Sequence, residues 1–517
     1  MIAVSDAWKD IQQRFILPET FLEITCGITD VGVQDLVVPS GTNEAKFSTV
    51  ENIAGNTGSI TAKRYATLER NLWALDGSRS VIPDDGPYGN AGYVSNNFSY
   101  AGVELTFPEP RQTAIPGLTL TWSSEYGEYP TQFSVTAKNG DTVVASAYVG
   151  DNTSSVSVVN MEMVDYDSLT IEVYAWSLPD HRARIDLVMF GHVISFGKND
   201  VMRFTHEQHG DLNSGELTKN SIEFALDNST GQWNPSNPTG LGRYLSERQK
   251  VNVRYGMDVN GSTEWIKAGT FYLSEWRTPA NGMEASFVAR DVFEYLLNEP
   301  YTGARSGTLQ EFVTAAFADA PEDLELSVDD SLGSITATLD ESEHTRAEVA
   351  QMSANAAGCI IRHDRNGKTF IEPLNAEHSG YSITTALSYA HPEMTLAKPL
   401  KSVSVSYGDS QAYVLDVAQS GETQTVNNPL VVTQGQAQTL AEWVRDTMES
   451  RKTIDGEFRA DPRLDLFDIV TVESKYGQIA PVAITNIKYH YSGAFRASYT
   501  GRVLSGAAAA SVMNLEV

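Results

Sequence analysis

Apolar residues recur along most of this chain with a period of two, and the few stretches where the period lengthens mark its helices. Between residues 103 and 190 the alternation carries Leu118, Leu120 and Trp122, then Phe133 and Val135, Val143, Val156 and Val158, and Ile171 and Val173. Asn139-Gly140 falls between two of these runs, and that dipeptide tolerates the positive φ angles of a tight hairpin turn. Short strands at this spacing, with no helix between them, predict a β-sandwich or jelly roll of roughly 120 residues.

Residues 194–301 are again strand-rich, with IEFALDN at 222–228 and VNVRYG at 251–256. At 265–297 two strand-like segments flank Pro279-Ala280-Asn281-Gly282 and lead into a short apolar helix. The loop at 227–240 consists of turn formers, and its two prolines cannot donate to a ladder, so it belongs on a surface. Nearer the start, residues 5–16 read as a short amphipathic helix capped by Ser5 or Asp6, with Trp8, Ile11 and Phe15 on one stripe and Pro18 ending it. The strand candidate FLEIT follows at 21–25, and RYATLERNLWALDGS at 64–78 runs into a Gly/Pro/Asp-rich loop at 76–92.

Beyond residue 301 helix and strand mix. Leu309, Phe312, Val313, Ala316 and Phe317 stand at helical spacing, and Thr345-Arg346-Ala347-Glu348 is a capping box opening a helix that ends near Gly358. Residues 359–374 read as a hairpin turning at Asn366-Gly367. An alternating strand at 402–407 precedes a helix at 436–451 with Leu440, Trp443, Val444 and Met448 on one face. No fixed-period repeat is present, and the run at 506–510 reads as a terminal linker.

With 517 residues, 41% of them hydrophobic, the chain has room for three or four domains with their own cores. A net charge of -29, from 66 acidic against 37 basic residues, would repel a phosphate backbone and disfavours DNA binding. An acidic wall still suits a conduit through which DNA must slide without being held, although ordinary solubility is the simpler reading. No run approaches the roughly 18 to 20 apolar residues that span a bilayer, and MIAVSDAWKDIQQRF lacks the features of a secretory leader, so synthesis in a cytoplasm is expected. Cys26 and Cys359 lie far apart in the chain and offer neither a disulfide framework nor a CxxC site; each is expected to be a small buried apolar residue.

None of the G-x-S-x-G, H-E-x-x-H, Walker A or dinucleotide fingerprints occurs, and no stretch reads as the helical domain of a lytic enzyme. His206 and His209 stand three apart, as two metal ligands on a helix would, but FTHEQHGDLNSGEL reads as a strand entering a loop with no third ligand nearby. Asp84-Asp85 and Asp329-Asp330 lack calcium-loop spacing and read as solvated turns. Trp122 and Trp176 could stack on sugar rings, yet a sandwich core uses tryptophan in the same way, and the core is the preferred place. Arg290-Asp291 reads as a capping pair at a strand-to-helix junction and Asp461-Pro462-Arg463 as a turn. No catalytic residue, cofactor site or metal ligand is assigned, no carbohydrate-binding residue is named, and the chain is read as a non-enzyme.

The block at 265–297, with Trp276 closing its first strand and Ala285, Ala289, Arg290, Asp291 and Leu296 in its second part, resembles a recurrent segment of the baseplate hub and tail-tip proteins of tailed phages. The helix-then-hairpin at 345–374 resembles the small α/β domain of those hubs. FRADPRLDLFDIVTVES at 458–474 resembles the hub string R-x-D-P-x-L-x-x-x-D-x-V-x-V, and GAFRASYTGR at 493–502 its closing strand pair. Thr67, Leu68, Glu69, Asn71, Leu75, Asp76 and Gly77, with Trp176, Pro179, Arg182, Arg184 and Ile185, resemble the opening and closing strings of galactose-binding-like jelly rolls inserted in such proteins.

The resemblance covers about two thirds of the chain. It implies a mainly β, multidomain protein with α+β parts: a hub-type β-barrel interrupted by a jelly-roll β-sandwich, then a small α/β domain and a C-terminal β-rich domain. The implied division is 1–62 for the N-terminal helix and first barrel strands, 63–192 for the inserted jelly roll and 193–303 for the rest of the barrel. The α/β domain follows at 304–395, the C-terminal β-rich domain with one helix at 396–505, and a tail at 506–517. It further implies a virion protein of the tail baseplate, assembled in the bacterial host cytoplasm as a homotrimer around the tail axis. Its partners would be distal tail and tail-tube proteins, the tape-measure protein and other baseplate or fibre proteins, with DNA only in transit through the lumen. The alternative is a receptor-binding tail protein that recognises host carbohydrate through the jelly roll.

Overall fold

The computed structural model describes residues 1–14, 18–31, 33, 36–41, 66–67, 101–122, 127–178, 183–278, 282–321, 324–340, 342–375, 378–408 and 410–504. Phe15, Asp84-Asp85, Pro179, Arg182, the string at 68–77, the loop at 76–92, the turn residues 279–281 and the run at 506–510 lie outside the described residues. The fold is mainly β and multidomain, as the alternation predicts, and it divides into two compact units.

One unit comprises Thr25–Ser195 and Thr230–Lys250. Its five-stranded antiparallel sheet runs in the order Val38–Gly41, Ala101–Arg111, Tyr166–Trp176, Pro130–Asn139, Thr142–Val149. A second antiparallel set joins Arg184–Phe196 to Ile115–Trp122 and then to Val156–Met163. Both sets contribute to one core, with Leu105, Phe133 and Ile171 from the first and Leu120, Trp122 and Phe190 from the second. The hairpin at Asn139 turns through Gly140, which takes φ +56° and donates its N–H to Asp167 at 2.8 Å.

Trp122 and Trp176 are both core residues, 6.3 Å apart edge to face. Their indole N–H groups are spent inside, on the Ser157 hydroxyl at 2.9 Å and the Glu128 carboxylate at 2.7 Å. The bond to Ser157 also explains one departure from the expected pattern. Val156–Met163 turns Ser157, Val159, Met161 and Met163 inward and leaves Val156 and Val158 exposed, because valines occupy both faces and the tryptophan fixes which face is inside. Val143 is exposed too, since Thr142–Val149 is the last strand of its sheet.

The other unit comprises Met1–Ile24, Phe196–Ser229 and Val251–Val517. Its main sheet runs Glu393–Leu396, Lys452–Phe458, Phe495–Val503, Gly477–Tyr491, Val201–His209, Lys219–Asp227, Glu284–Arg290, Ser262–Arg277, Lys250–Val259. Gly477–Tyr491 and Lys250–Val259 are five steps apart in that order, so a flat sheet would separate them by about 24 Å. Yet the Tyr255 and Tyr489 rings are 5.9 Å apart, and Tyr255 meets Phe495 at 4.8 Å. The sheet is therefore rolled, and its two flanks meet through side chains as a barrel.

The block at 265–297 supplies two of these strands, with Trp276 opposite Phe287. The apolar helix expected after it is a single 3₁₀ turn, Val292–Tyr295, closed by the Leu296 N–H on the Phe293 carbonyl. Asp291 caps it, its carboxyl accepting from the Phe293 N–H at 3.0 Å. The N-terminal helix is Asp6–Gln12 with Ser5 as cap, and Trp8 and Ile11 pack on Met257 and Ile266. The loop at 227–240 is on the surface except for Asn228, Trp233 and Gly240, which are buried.

Beside the barrel strands, Leu309–Ala316 and Arg346–Ala356 pack over the hairpin Ile360–His363 and Lys368–Glu372. Both helices start with complete capping boxes, Thr308 with Glu311 and Thr345 with Glu348. Further on, Leu400–Tyr407 pairs with Gln411–Asp416 and Glu422–Val426 and is covered by the helix Gln434–Met448 through Leu440 and Val444.

Two glycines let strands approach in the sandwich unit. Gly117 and Gly191 have φ +152° and +137°, and an added Cβ would lie 1.9 Å from the Val159 carbonyl oxygen and 2.1 Å from that of Ile28. Backbone cannot move aside as a flexible side chain can. Gly117→Ala and Gly191→Ala are each expected to lower unfolding free energy by about 3 kcal/mol. Urea titration followed by tryptophan fluorescence measures this, and unchanged midpoints would refute the steric argument.

Candidate functional site

The densest group of buried polar side chains sits inside the barrel. Val201–His209 places Phe204, His206 and Gln208 inward by strand alternation, so His206 and His209 face opposite ways and share no ligand. His206 is fully buried, with Nδ1 2.6 Å from the Tyr255 hydroxyl and Nε2 2.8 Å from Asn220 Oδ1. Asn220 Oδ1 can only accept, so Nε2 carries the proton and Nδ1 accepts from Tyr255. Among the described residues no cluster of three or more His, Cys, Asp or Glu side chains has metal-binding spacing.

Arg365 enters the same region from the hairpin turn between Ile360–His363 and Lys368–Glu372, and it too is buried. Its guanidinium donates to the carbonyls of Pro462 and, at 2.6 Å, of Leu464. It pairs with Asp465 at 3.5 Å and lies 5.8 Å from the Tyr489 ring centre. Gln208 donates to Asp465 at 2.7 Å, and Tyr489 donates to the carbonyl of Leu464 at 2.7 Å. Asp461-Pro462-Arg463 is a turn, as expected, but a buried one: Asp461 accepts from the Arg463 backbone N–H at 3.1 Å and from its Nε at 2.9 Å.

The electrostatics follow from this packing. Burial, and then the Arg365 charge, push the His206 imidazole down to about 4. Burial acts to raise Asp465, but the Arg365 charge and the Gln208 hydrogen bond prevail and hold it below the ordinary carboxylate value. Burial raises the Tyr255 and Tyr489 phenols, which stay neutral. The cluster is a neutral histidine bonded to Tyr255 and Asn220, beside one compensated ion pair bonded to Gln208 and to the backbone.

The other candidates resolve separately. Arg290 turns to Ser274 and Glu294, at 2.6 and 3.0 Å, away from its neighbour Asp291, whose carboxyl burial raises well above the usual range. Asp329 accepts from the Ser331 N–H at 2.9 Å in an exposed turn. Cys359 is buried, its thiol pushed up to about 12 by burial, whereas Cys26 is only half-buried.

Ser342, His344 and Asp340 gather beside a cleft of about 470 Å³. Asp340 and Ser342 both meet His344 at Nε2, at 2.7 and 2.8 Å, so no relay runs from carboxylate through imidazole to hydroxyl.

No protein-family model and no curated protein matches the chain. Among solved structures it is similar to a 43 kDa tail protein of prophage MuSo2 from Shewanella oneidensis, at 12% identity over 61% of this chain and 95% of that one, with a TM-score of 0.42. It is similar to a tail protein from Neisseria meningitidis MC58 at 12% identity over 60% and 94%, with a TM-score of 0.41. It is also similar to prophage tail protein gp18 from Listeria monocytogenes EGD-e, at 11% identity over 63% and 95%, with a TM-score of 0.41.

Two outcomes follow from the buried cluster. An unfolded histidine titrates near 6.5 and folded His206 near 4, so between those values the unfolded chain binds a proton that the folded chain refuses. The contribution is whole above 6.5 and is lost as pH falls toward 4, roughly 3 kcal/mol in all. His206→Gln should flatten that slope in urea midpoints taken from about pH 7 to about pH 5, and equal slopes would exonerate His206. Asp465→Asn leaves the Arg365 charge without its carboxylate and should cost about 3 kcal/mol in the same titration at neutral pH. A loss within experimental error would mean that the two carbonyls suffice.

Proposed function

We propose that this chain is a structural hub of a phage or phage-like tail baseplate, joining tail tube and tape-measure protein to the tail tip. The observation that carries the reading is convergence. Three strings far apart in sequence, at 265–297, 345–374 and 458–502, resemble hub segments and meet in one unit. The first and third supply barrel strands, and Arg365 of the second closes on Pro462 and Leu464 of the third. His206, Arg365 and Asp465 are each tied to neighbours inside this barrel, which suits a joint that transmits force more than a site that must admit substrate.

In this reading the chain is no enzyme, assembles as a homotrimer in the bacterial host cytoplasm and resides in the virion. It touches distal tail, tail-tube and tape-measure proteins and other baseplate or fibre proteins. Residues 63–192 are a jelly-roll insert in the barrel, 304–395 the α/β domain and 396–505 the C-terminal domain. DNA meets the ring only in transit, and the net charge of -29 suits a wall that makes no lasting phosphate contacts. A second reading, a receptor-binding tail protein whose sandwich recognises cell-surface carbohydrate, has one observation in its favour: an exposed tyrosine pair on the sandwich unit.

Light scattering on concentrated protein should give three times the 56.5 kDa of one chain. A monomer together with rim density for the labelled chain in images of the particle would reject the hub in favour of the second reading.

A further inference from the structure

We propose that the outward face of the five-stranded sheet carries a carbohydrate platform built on Tyr148 and Tyr174, and that its ligand is an uncharged glycan. The proposal deepens the second reading of function and rests on it.

One face of this sheet supplies the sandwich core, and strand alternation turns Gln132, Ser134, Thr136, Ser146, Thr170 and Glu172 the other way. Among these polar groups Tyr148 is 62% exposed and Tyr174 44% exposed. The register sets Ser134 opposite Tyr148 on one side and opposite Glu172 on the other. The Tyr174 hydroxyl lies 2.8 Å from Ser134 Oγ and 3.0 Å from Glu172 Oε2, which ties its ring toward the neighbouring strand Pro130–Asn139. Tyr148 lies back over Gly150, where an added Cβ would stand 3.1 Å from ring atom Cε1. The ring centres are 6.0 Å apart and the planes 38° apart, so the two exposed rings stand side by side on this face.

Tyr174 is held by two hydrogen bonds before any ligand arrives, so its ring has little conformational freedom to lose on binding. Their faces suit the C–H faces of a sugar, while the hydroxyls of Ser134, Thr136 and Ser146 and the Glu172 carboxylate suit its hydroxyls. A protein partner would call for an apolar centre with a polar rim, whereas here hydroxyl-bearing side chains flank the rings themselves. The charge of -29, with Glu172 beside the Tyr174 ring, selects against anionic polymers.

Cross-strand tyrosines can also serve only to stabilise a sheet, and the experiment separates the two uses. The full-length chain is run by affinity electrophoresis through soluble galactan, glucan and mannan, with alginate as the anionic control. At least one neutral polymer should retard it and alginate should not. Tyr148→Ala with Tyr174→Ala should weaken that retardation by about tenfold or more, with the melting temperature little changed, while Tyr148→Phe stays within about twofold. Retardation undiminished in the double variant would overturn the platform and leave carbohydrate recognition standing elsewhere on the chain. No retardation of the native protein by any neutral polymer would overturn both.

Discussion

The barrel depends on how one charge is accommodated, the buried guanidinium of Arg365. Removing such a group from water costs several kcal/mol, and the cost is offset only where hydrogen bonds and a counter-charge replace the lost hydration. Here two carbonyls, one carboxylate and one phenol ring do so, and each constrains a different element. The carbonyls of Pro462 and Leu464 can face inward because Asp461 and Arg463 close the turn between them. Tyr489 reaches the Leu464 carbonyl, and that of Asp461, from Gly477–Tyr491, and Gln208 orients Asp465 from Val201–His209. The charge also helps dictate the state of His206, whose neutrality lets it accept from Tyr255 and donate to Asn220. One cation thus couples a hairpin turn, a loop and four strands.

The same logic explains how the α/β part stays attached. Its contacts with the loop after Val201–His209 include polar bonds to backbone: Ser214 to the Cys359 carbonyl at 2.8 Å, Thr218 to that of Ile361, and Asn355 to that of Asn213 at 2.8 Å. Such bonds fix position more sharply than apolar packing, because an unmade one leaves a buried group unsatisfied. Arg365 is anchored by the hairpin these bonds hold, so hairpin and barrel stabilise each other. In the proposed hub this coupling would pass load from one part to the other without slippage.

What could be read from sequence was local. The hairpin at Asn139-Gly140, the capping box at Thr345 and the cap at Asp291 each depend on residues within a few positions, and each stands as expected. What failed depended on distant partners. The strand at 156–163 was legible as a strand, but its inward face is chosen by the bond between Trp122 and Ser157. The helix after Asp291 shrank to one turn although its residues are apolar enough for more. Arg365 gave no signal at all, because an arginine in HDRNGKT looks like any solvated turn residue until the segment at 461–465 is folded over it. The site was therefore less legible than the fold, being assembled from residues that have meaning only together.

The sandwich shows the same limit through its aromatic residues. Trp122 and Trp176 suit a ligand or a core by type, the core being the preferred reading, and both do bury their rings and spend their N–H groups internally. Tyr148 and Tyr174, unremarked in sequence, keep their rings largely in solvent, and the Tyr174 hydroxyl is tied to Ser134 and Glu172. Residue type alone does not separate these uses, because an aromatic ring contributes similar apolar area to a core and to a ligand. What separates them is the face of the strand and whether the polar tip is bonded beneath the core or across an open surface. On that criterion, among the described residues, the outward tyrosines and not the inward tryptophans are available to a partner.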